Sequence, residues 1–252
     1  MKKLIAFAAA AACGAALAVV ESPNIVGYNN SAYTGKKWNC VGATFIGVTN
    51  SDGQFRLGDI TATGWDYESD ELRTLKTSNG GTDVSMFYLT AAVADEIGAP
   101  SAGWYDVDGE CHNDDVFDIG SGFLTCLYSG VTFTYSGQVY EDEVPLAYSG
   151  KKWNVVANPL PMAITLGQVT ATGWNYESDE LRTLKTSNGG TNVSMFYLTA
   201  AVADEIGAPS AGWYDVDGEC HNDDVVNPGE GFLTCLYSNV TITFPAAVPS
   251  NN

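Results

Sequence analysis

Basic residues are scarce in this chain: 11 Lys and Arg stand against 30 Asp and Glu, a formal net charge of −19. A field of that sign repels nucleic acid and anionic lipid, so no nucleic-acid partner is expected. Histidine is nearly missing, and its two occurrences, His112 and His221, are one position met twice. No Gly-x-Ser-x-Gly, His-Glu-x-x-His, phosphate loop or dinucleotide fingerprint occurs, and no nucleophile motif accompanies either histidine. The expectation is therefore a protein that is not an enzyme. Long apolar runs are also lacking after the first twenty residues, so no membrane span is expected in the mature chain.

The one apolar run, Leu4 to about Val20, follows Lys2 and Lys3 and ends in Ala16-Leu17-Ala18. A cationic start, an apolar stretch and small residues at −3 and −1 make residues 1–18 a signal peptide cut after Ala18. The implied location is secreted or cell surface, in a bacterium. Ala10-Ala11-Ala12-Cys13-Gly14 loosely resembles a lipidation motif, although the apolar run continues past the cysteine.

Internal repetition decides the organisation. Thr61 to Asp115 matches Thr170 to Asp224 at an offset of 109, and over those 55 positions only Asp66/Asn175 and Asp83/Asn192 differ. Tyr33 to Asn39 matches Tyr148 to Asn154 at an offset of 115, which places six extra residues of copy one between Trp38 and Leu57. Two units follow, 19–136 with an N-terminal arm and 137–252, each of ordinary domain size.

Within each unit the apolar residues alternate. Val131, Phe133 and Tyr135 interleave with threonines, and Val240, Ile242 and Phe244 do the same, the period of a half-buried strand. Asn227-Pro228-Gly229-Glu230 has Pro and Gly where a type II turn needs them; copy one keeps only the glycine, as Asp118-Ile119-Gly120-Ser121. The single helix candidate runs from Thr90 to Ile97, capped by Thr90 and stopped by Gly98. The predicted fold class is all-β: two tandem β-sandwich-like repeats of six to eight strands each.

Cysteines sit at Cys111 and Cys126 and recur as Cys220 and Cys235. If each pair flanks a hairpin, both thiols share a face, and an oxidising compartment predicts one disulfide per repeat. Each would stabilise by ~3 kcal/mol in the loop-entropy account. Cys40 has no counterpart, since Val155 occupies its place; it reads as a buried thiol or as a bridge between subunits.

Two groups of side chains suggest binding. Asp106, Asp108, Glu110, Asp114 and Asp115, repeated as Asp215, Asp217, Glu219, Asp223 and Asp224, crowd carboxylates around a glycine turn, the donor type that calcium takes. The spacing is not that of an EF-hand: the expectation is no cofactor or calcium, against a solvated turn, and a zinc site on Cys111, His112 and Cys126 lacks a fourth soft ligand. Trp65, Trp104, Trp174 and Trp213 offer flat faces on which sugars stack, although at least one per repeat is expected in the core.

Asn24-Ile25-Val26-Gly27-Tyr28, Lys152 to Leu160 (KWNVVANPL), Gly212-Trp213-Tyr214-Asp215 and Pro228 to Leu233 (PGEGFL) resemble signatures of uncharacterised secreted β-repeat proteins of bacterial surfaces. Copy one departs from them, with Ala43-Thr44-Phe45 in place of Asn158-Pro159-Leu160 and Ile119 in place of the turn proline. The resemblance implies an extracellular protein of structural or adhesive type. Tandem near-identical units favour avidity or repetitive assembly, so the leading expectation is a fibre, matrix or adhesin subunit. Its partner is expected to be another copy of itself, through strand addition by residues 19–33, or a surface glycan. A carbohydrate-binding module is the alternative, and a secreted hydrolase the third.

Overall fold

The computed structural model describes residues 26–35, 37–45, 55–75, 84–139, 142–184 and 192–247. The cleavage site, residues 19–25 of the arm and the insertion loop near residues 49–53 lie outside the described residues, as does the turn at residues 78–81. The first copy comprises β1 (Val26–Tyr33), β2 (Lys37–Gly42), β3 (Phe55–Arg56), β4 (Ile60–Thr63), β5 (Glu71–Arg73), β6 (Ser85–Leu89), α1 (Ala91–Ile97), β7 (Gly103–Asp106), β8 (Val116–Phe117), β9 (Gly122–Leu127) and β10 (Val131–Gln138). The second repeats this order as β11 (Val144–Tyr148), β12 (Lys152–Ala157), β13 (Ile164–Thr165), β14 (Thr170–Thr172), β15 (Glu180–Arg182), β16 (Ser194–Leu198), α2 (Ala200–Ile206), β17 (Gly212–Asp215), β18 (Val225–Val226), β19 (Gly231–Leu236) and β20 (Val240–Phe244).

The fold is β-rich throughout, with the two short helices as its only α-helical elements among the described residues. Each copy holds a five-stranded sheet (β2-β9-β5-β6-β7), a three-stranded sheet (β1-β10-β4) and a two-stranded ribbon (β3-β8), and copy two reproduces all three. The alternation read at 131–135 is realised in β10, whose burial switches strictly between neighbours. One core is fed from both larger sheets: Val41, Leu72, Met86, Trp104 and Phe123 from the five strands, Ile60, Val131 and Phe133 from the three. At its centre Trp104 stacks on Phe133 at 6.2 Å and meets Trp65 edge-on at 5.1 Å. The helix forms where its signals stood: Thr90 Oγ1 accepts from the Val93 N–H, and Gly98 ends it in the left-handed region.

Three expectations change. The arm is not free from residue 26 onward: β1 pairs along all eight of its residues with β10, from Val26 opposite Gln138 to Tyr33 opposite Val131. This pairing carries copy one past the seam placed at 136. The intra-repeat disulfides are not formed; Cys111, Cys126, Cys220 and Cys235 are all free thiols. The hairpin premise fails because β8 pairs with β3 rather than β9. Cys126 lies on β9, whereas Cys111 bridges to Tyr105 on the far edge strand β7. Four strand spacings, about 19 Å, separate the two positions, against the 4.4–6.8 Å that a disulfide tolerates between Cα atoms.

Reductant should therefore leave the melting temperature of the purified protein unchanged. A thiol reagent should label exposed Cys111 and Cys220 under native conditions, but buried Cys40 only after unfolding. Mass spectrometry of the labelled peptides checks both points.

The copies meet across a pseudo-twofold seam. Gly42 N–H donates to the Gly229 carbonyl at 3.0 Å, and its counterpart Ala157 N–H donates to Gly120 at 3.1 Å. Tyr33 Oη donates to the same Gly229 oxygen at 2.9 Å, and Tyr148 Oη to Gly120 at 3.0 Å. Both acceptors are turn glycines at positive φ, in turns closed by Glu230 N–H to Asn227 O and Ser121 N–H to Asp118 O. The type II turn predicted from Pro-Gly thus survives in copy one without its proline, because the glycine supplies the left-handed residue.

Candidate functional site

Tryptophan exposure divides the chain sharply. Trp104 and Trp213 are wholly buried, with Nε1 donating to the Ile60 and Val169 carbonyls, and Trp65 and Trp174 lie beside them in the cores. None of these four can stack on a sugar. The residues left open are Trp38 (40 % exposed) and Trp153 (42 %), joined by Tyr128 and Tyr237. They were legible in principle: Trp38 precedes buried Asn39 in a strand, so it must face outward, next to the two lysines of Lys-Lys-Trp-Asn.

A row of side chains runs across the outer face of each five-stranded sheet. Trp38 lies opposite Cys126 and Cys126 opposite Glu71; in copy two Trp153, Cys235 and Glu180 repeat the row. The Arg73 guanidinium sits 5.6 Å from the Trp38 ring centre and 2.8 Å from Glu71; Arg182 sits 5.8 Å from Trp153 and 2.8 Å from Glu180. Burial tends to raise the Glu71 and Glu180 carboxyls, but the serine hydroxyls of Ser85 and Ser194 and the arginines outweigh it and hold both below the usual range. The arginine is thereby fixed as a flat cation over the ring. In copy two Trp153, Cys235, Tyr237, Lys151 and Ser178 line a shallow depression of about 300 Å³.

The acidic loops are organised around histidine. Asp106 Oδ1 accepts from the Asp108 and Glu110 N–H groups at 3.0 and 2.8 Å, and its other oxygen lies 3.3 Å from His112 Nε2. His112 Nδ1 meets Asp115 at 2.9 Å, so the imidazole is clasped between two carboxylates. Copy two repeats this with Asp215, Asp217, Glu219, His221 and Asp224. Among the described residues only Asp106, Glu110 and His112 converge as three donors within 4.8 Å. Asp108, Asp217 and Asp223 are exposed on the loops, and Asp114 projects into solvent beside Arg56. Five carboxylates are therefore not gathered into the six-to-eight-oxygen shell that calcium takes; the sequence could show carboxylates crowding a turn, but not that backbone amides and an imidazole would occupy them.

The clasp has a pH signature. Burial works against a charged His112 or His221, but the flanking carboxylates of Asp115 and Asp106, or of Asp224 and Asp215, outweigh it and raise both histidines above 6.5. A folded pKa above the unfolded one contributes stability fully below about pH 6.5 and loses it as pH rises through the native value. Asp106 and Asp215 run oppositely. Burial raises them, yet the backbone N–H groups and histidine prevail and lower them, so their contribution is lost as pH falls through the native value, below 3.8. The urea midpoint should fall as pH rises past 6.5, and the double variant H112Q/H221Q should flatten that limb. A limb unchanged in the variant would rule the clasp out.

Asp70 and Glu71 are structural: buried Asp70 accepts from the backbone N–H of Asp66 and Tyr128, and Glu71 is held by Ser85 and Arg73. Compared with protein-family models, curated proteins and solved structures, the chain matches none.

Proposed function

We infer that this is an exported, surface-displayed interaction protein built of two β-sandwich-like units that offer one binding face twice. The observation carrying this reading is the pair of outer patches. Trp38, Tyr128 and Arg73 in copy one, and Trp153, Tyr237 and Arg182 in copy two, stay open while the other four tryptophans are buried. Two linked equivalent sites raise avidity on a repetitive target without new contacts. The resemblance to secreted bacterial surface repeats and the signal-like start agree with it, and so does the acidic charge, which keeps such a protein soluble.

A matrix or adhesin role is tested by sedimentation of the mature protein over a concentration series, with and without calcium and reductant, alongside binding to whole cells and insoluble polysaccharides. Binding through the patches should fall by more than tenfold in W38A/W153A and by less in either single variant. Retention of full binding in the double variant removes the patches from consideration.

Carbohydrate recognition is the second reading, favoured by the aromatic faces set beside hydrogen-bonding groups. The open tryptophans make it readable: intrinsic fluorescence should shift on adding polysaccharide, and the shift should vanish in W38A/W153A.

A further inference from the structure

The seam between the copies encloses two clefts related by the pseudo-twofold, and they have diverged. The first, about 400 Å³, lies between β1 of copy one and the Asn227–Glu230 turn of copy two. The second, about 440 Å³, lies between β11 and the Asp118–Ser121 turn. At equivalent positions the first cleft has Asn30, Ser31, Pro228 and Glu230 where the second has Pro145, Leu146, Ile119 and Ser121. In the second cleft Leu146 and Ile119 stand where the first has Ser31 and Pro228, and both pack against the core of copy two.

The 55-residue block shows only two differences between copies, and all four of these cleft differences lie outside it. The first cleft keeps a chain of polar groups. Asn29 Nδ2 donates to Ser31 Oγ at 2.9 Å, Ser31 Oγ donates to the Pro228 carbonyl at 2.9 Å, and Asn30 Oδ1 accepts from Thr134 at 2.7 Å. Glu230 Oε2 accepts from the backbone and side-chain N–H groups of Asn227, both at 3.0 Å.

We propose that this first cleft is a binding site for one small neutral saccharide per chain. Amides carry donors and an acceptor on one planar group, and a carboxyl presents two acceptor oxygens; together they match vicinal hydroxyls, each of which donates and accepts. Pro228 and Ala32 add the apolar edge against which a pyranose C–H face rests. An anion is disfavoured, because no described lining residue is basic and Glu230 is an acid. A bare hard cation is disfavoured by a single carboxyl in so wide a cleft. Burial raises the Glu230 carboxyl in spite of the Asn227 bonds. The volume falls within the 300–1,000 Å³ of small-molecule sites.

The site is separate from the outer patches, and stoichiometry tells them apart. Neutral mono- and disaccharides are titrated calorimetrically into the mature protein, with thermal melts to confirm folding. The expected result is one site per chain, weakened about tenfold or more by Glu230→Gln or Ser31→Leu, as the loss of a charged hydrogen bond or a polar wall dictates, and untouched by Leu146→Ser. Glu230→Gln, which keeps the size and shape of the side chain, keeps the test valid should Ser31→Leu fail to fold. The proposal is overturned by no binding across the panel at about 10 mM, far weaker than the millimolar affinities of small ligands. Two equivalent sites per chain, or binding that persists in Glu230→Gln and disappears only in W38A/W153A, also overturn it.

Discussion

Trp104→Ala is expected to destabilise the protein by about 3–5 kcal/mol, the range for emptying a buried aromatic site. The ring is entirely enclosed and touches Trp65 and Tyr88 at 5.1 Å and Phe133 at 6.2 Å, so no single neighbour can close the hole. The variant also strips the Ile60 carbonyl of the indole N–H that reaches it at 3.0 Å, a buried hydrogen bond lost. Trp104→Phe fills most of the space and should cost less, the difference reporting the lost hydrogen bond. Trp213→Ala removes the equivalent ring in copy two, where Ile242 replaces Phe133, with Trp174 and Tyr197 at 5.1 Å and Nε1 on Val169 at 2.8 Å, and should cost a similar amount. Urea denaturation followed by circular dichroism gives each value. A loss below about 1 kcal/mol for Trp104→Ala would mean that this core is not the support of the fold.

Gly42→Ala should cost about 3 kcal/mol, at the upper end of overpacking penalties. Gly42 and Ala157 are the same position in the two copies, and the seam sets them face to face: a Cβ on Gly42 would stand 2.0 Å from the Ala157 Cβ. Its backbone is not in the left-handed region, so the cost is steric and not conformational. The exchange therefore has a remedy. Ala157→Gly in the same chain makes room for the new methyl, and the double variant G42A/A157G should recover most of the loss, a coupling of about 2 kcal/mol between touching sites. No recovery would place the damage elsewhere, at the Ser121 carbonyl 3.2 Å away, and would remove the facing-pair account of the seam.

The same geometry gives Cys40 a structural reason. Val155, its counterpart, rests against Gly122, where an added Cβ would come within 2.3 Å of a valine methyl. Cys40 rests against Gly231, where the corresponding distance to its Cβ is 3.0 Å. It is a small apolar contact across the seam, buried to exclusion of solvent, and burial pushes its thiol pKa up. The alternative reading, a bridge between subunits, would require that position to open.

Local signals carried far in this protein. The 131–135 alternation, the Thr90 cap with its Gly98 stop, and the Pro-Gly turn each depend on neighbours within a few residues, and each appears where the residues placed it. The repeat itself was plain, since a 55-residue block with only two differences needs no structure to be seen. The cysteine pairing failed at the first non-local step: spacing along the chain says nothing of β8 choosing β3 over β9. The choice among six tryptophans failed similarly, because which ring enters a core depends on which sheets close over it.

What the amino-acid order determined alone is thus the β character, the doubling, the acidic charge and the individual turns, all set by periodicity, composition and short-range sterics. Only the tertiary structure decided that the thiols stand apart, that Trp38 and Trp153 face outward, and that two copies join through Gly42, Gly120 and Gly229. Those outcomes come from strand pairings and close backbone approaches between residues up to about two hundred positions apart, such as Tyr33 on Gly229. Contacts at that separation are selected by the packing of whole sheets, which no short window of sequence contains.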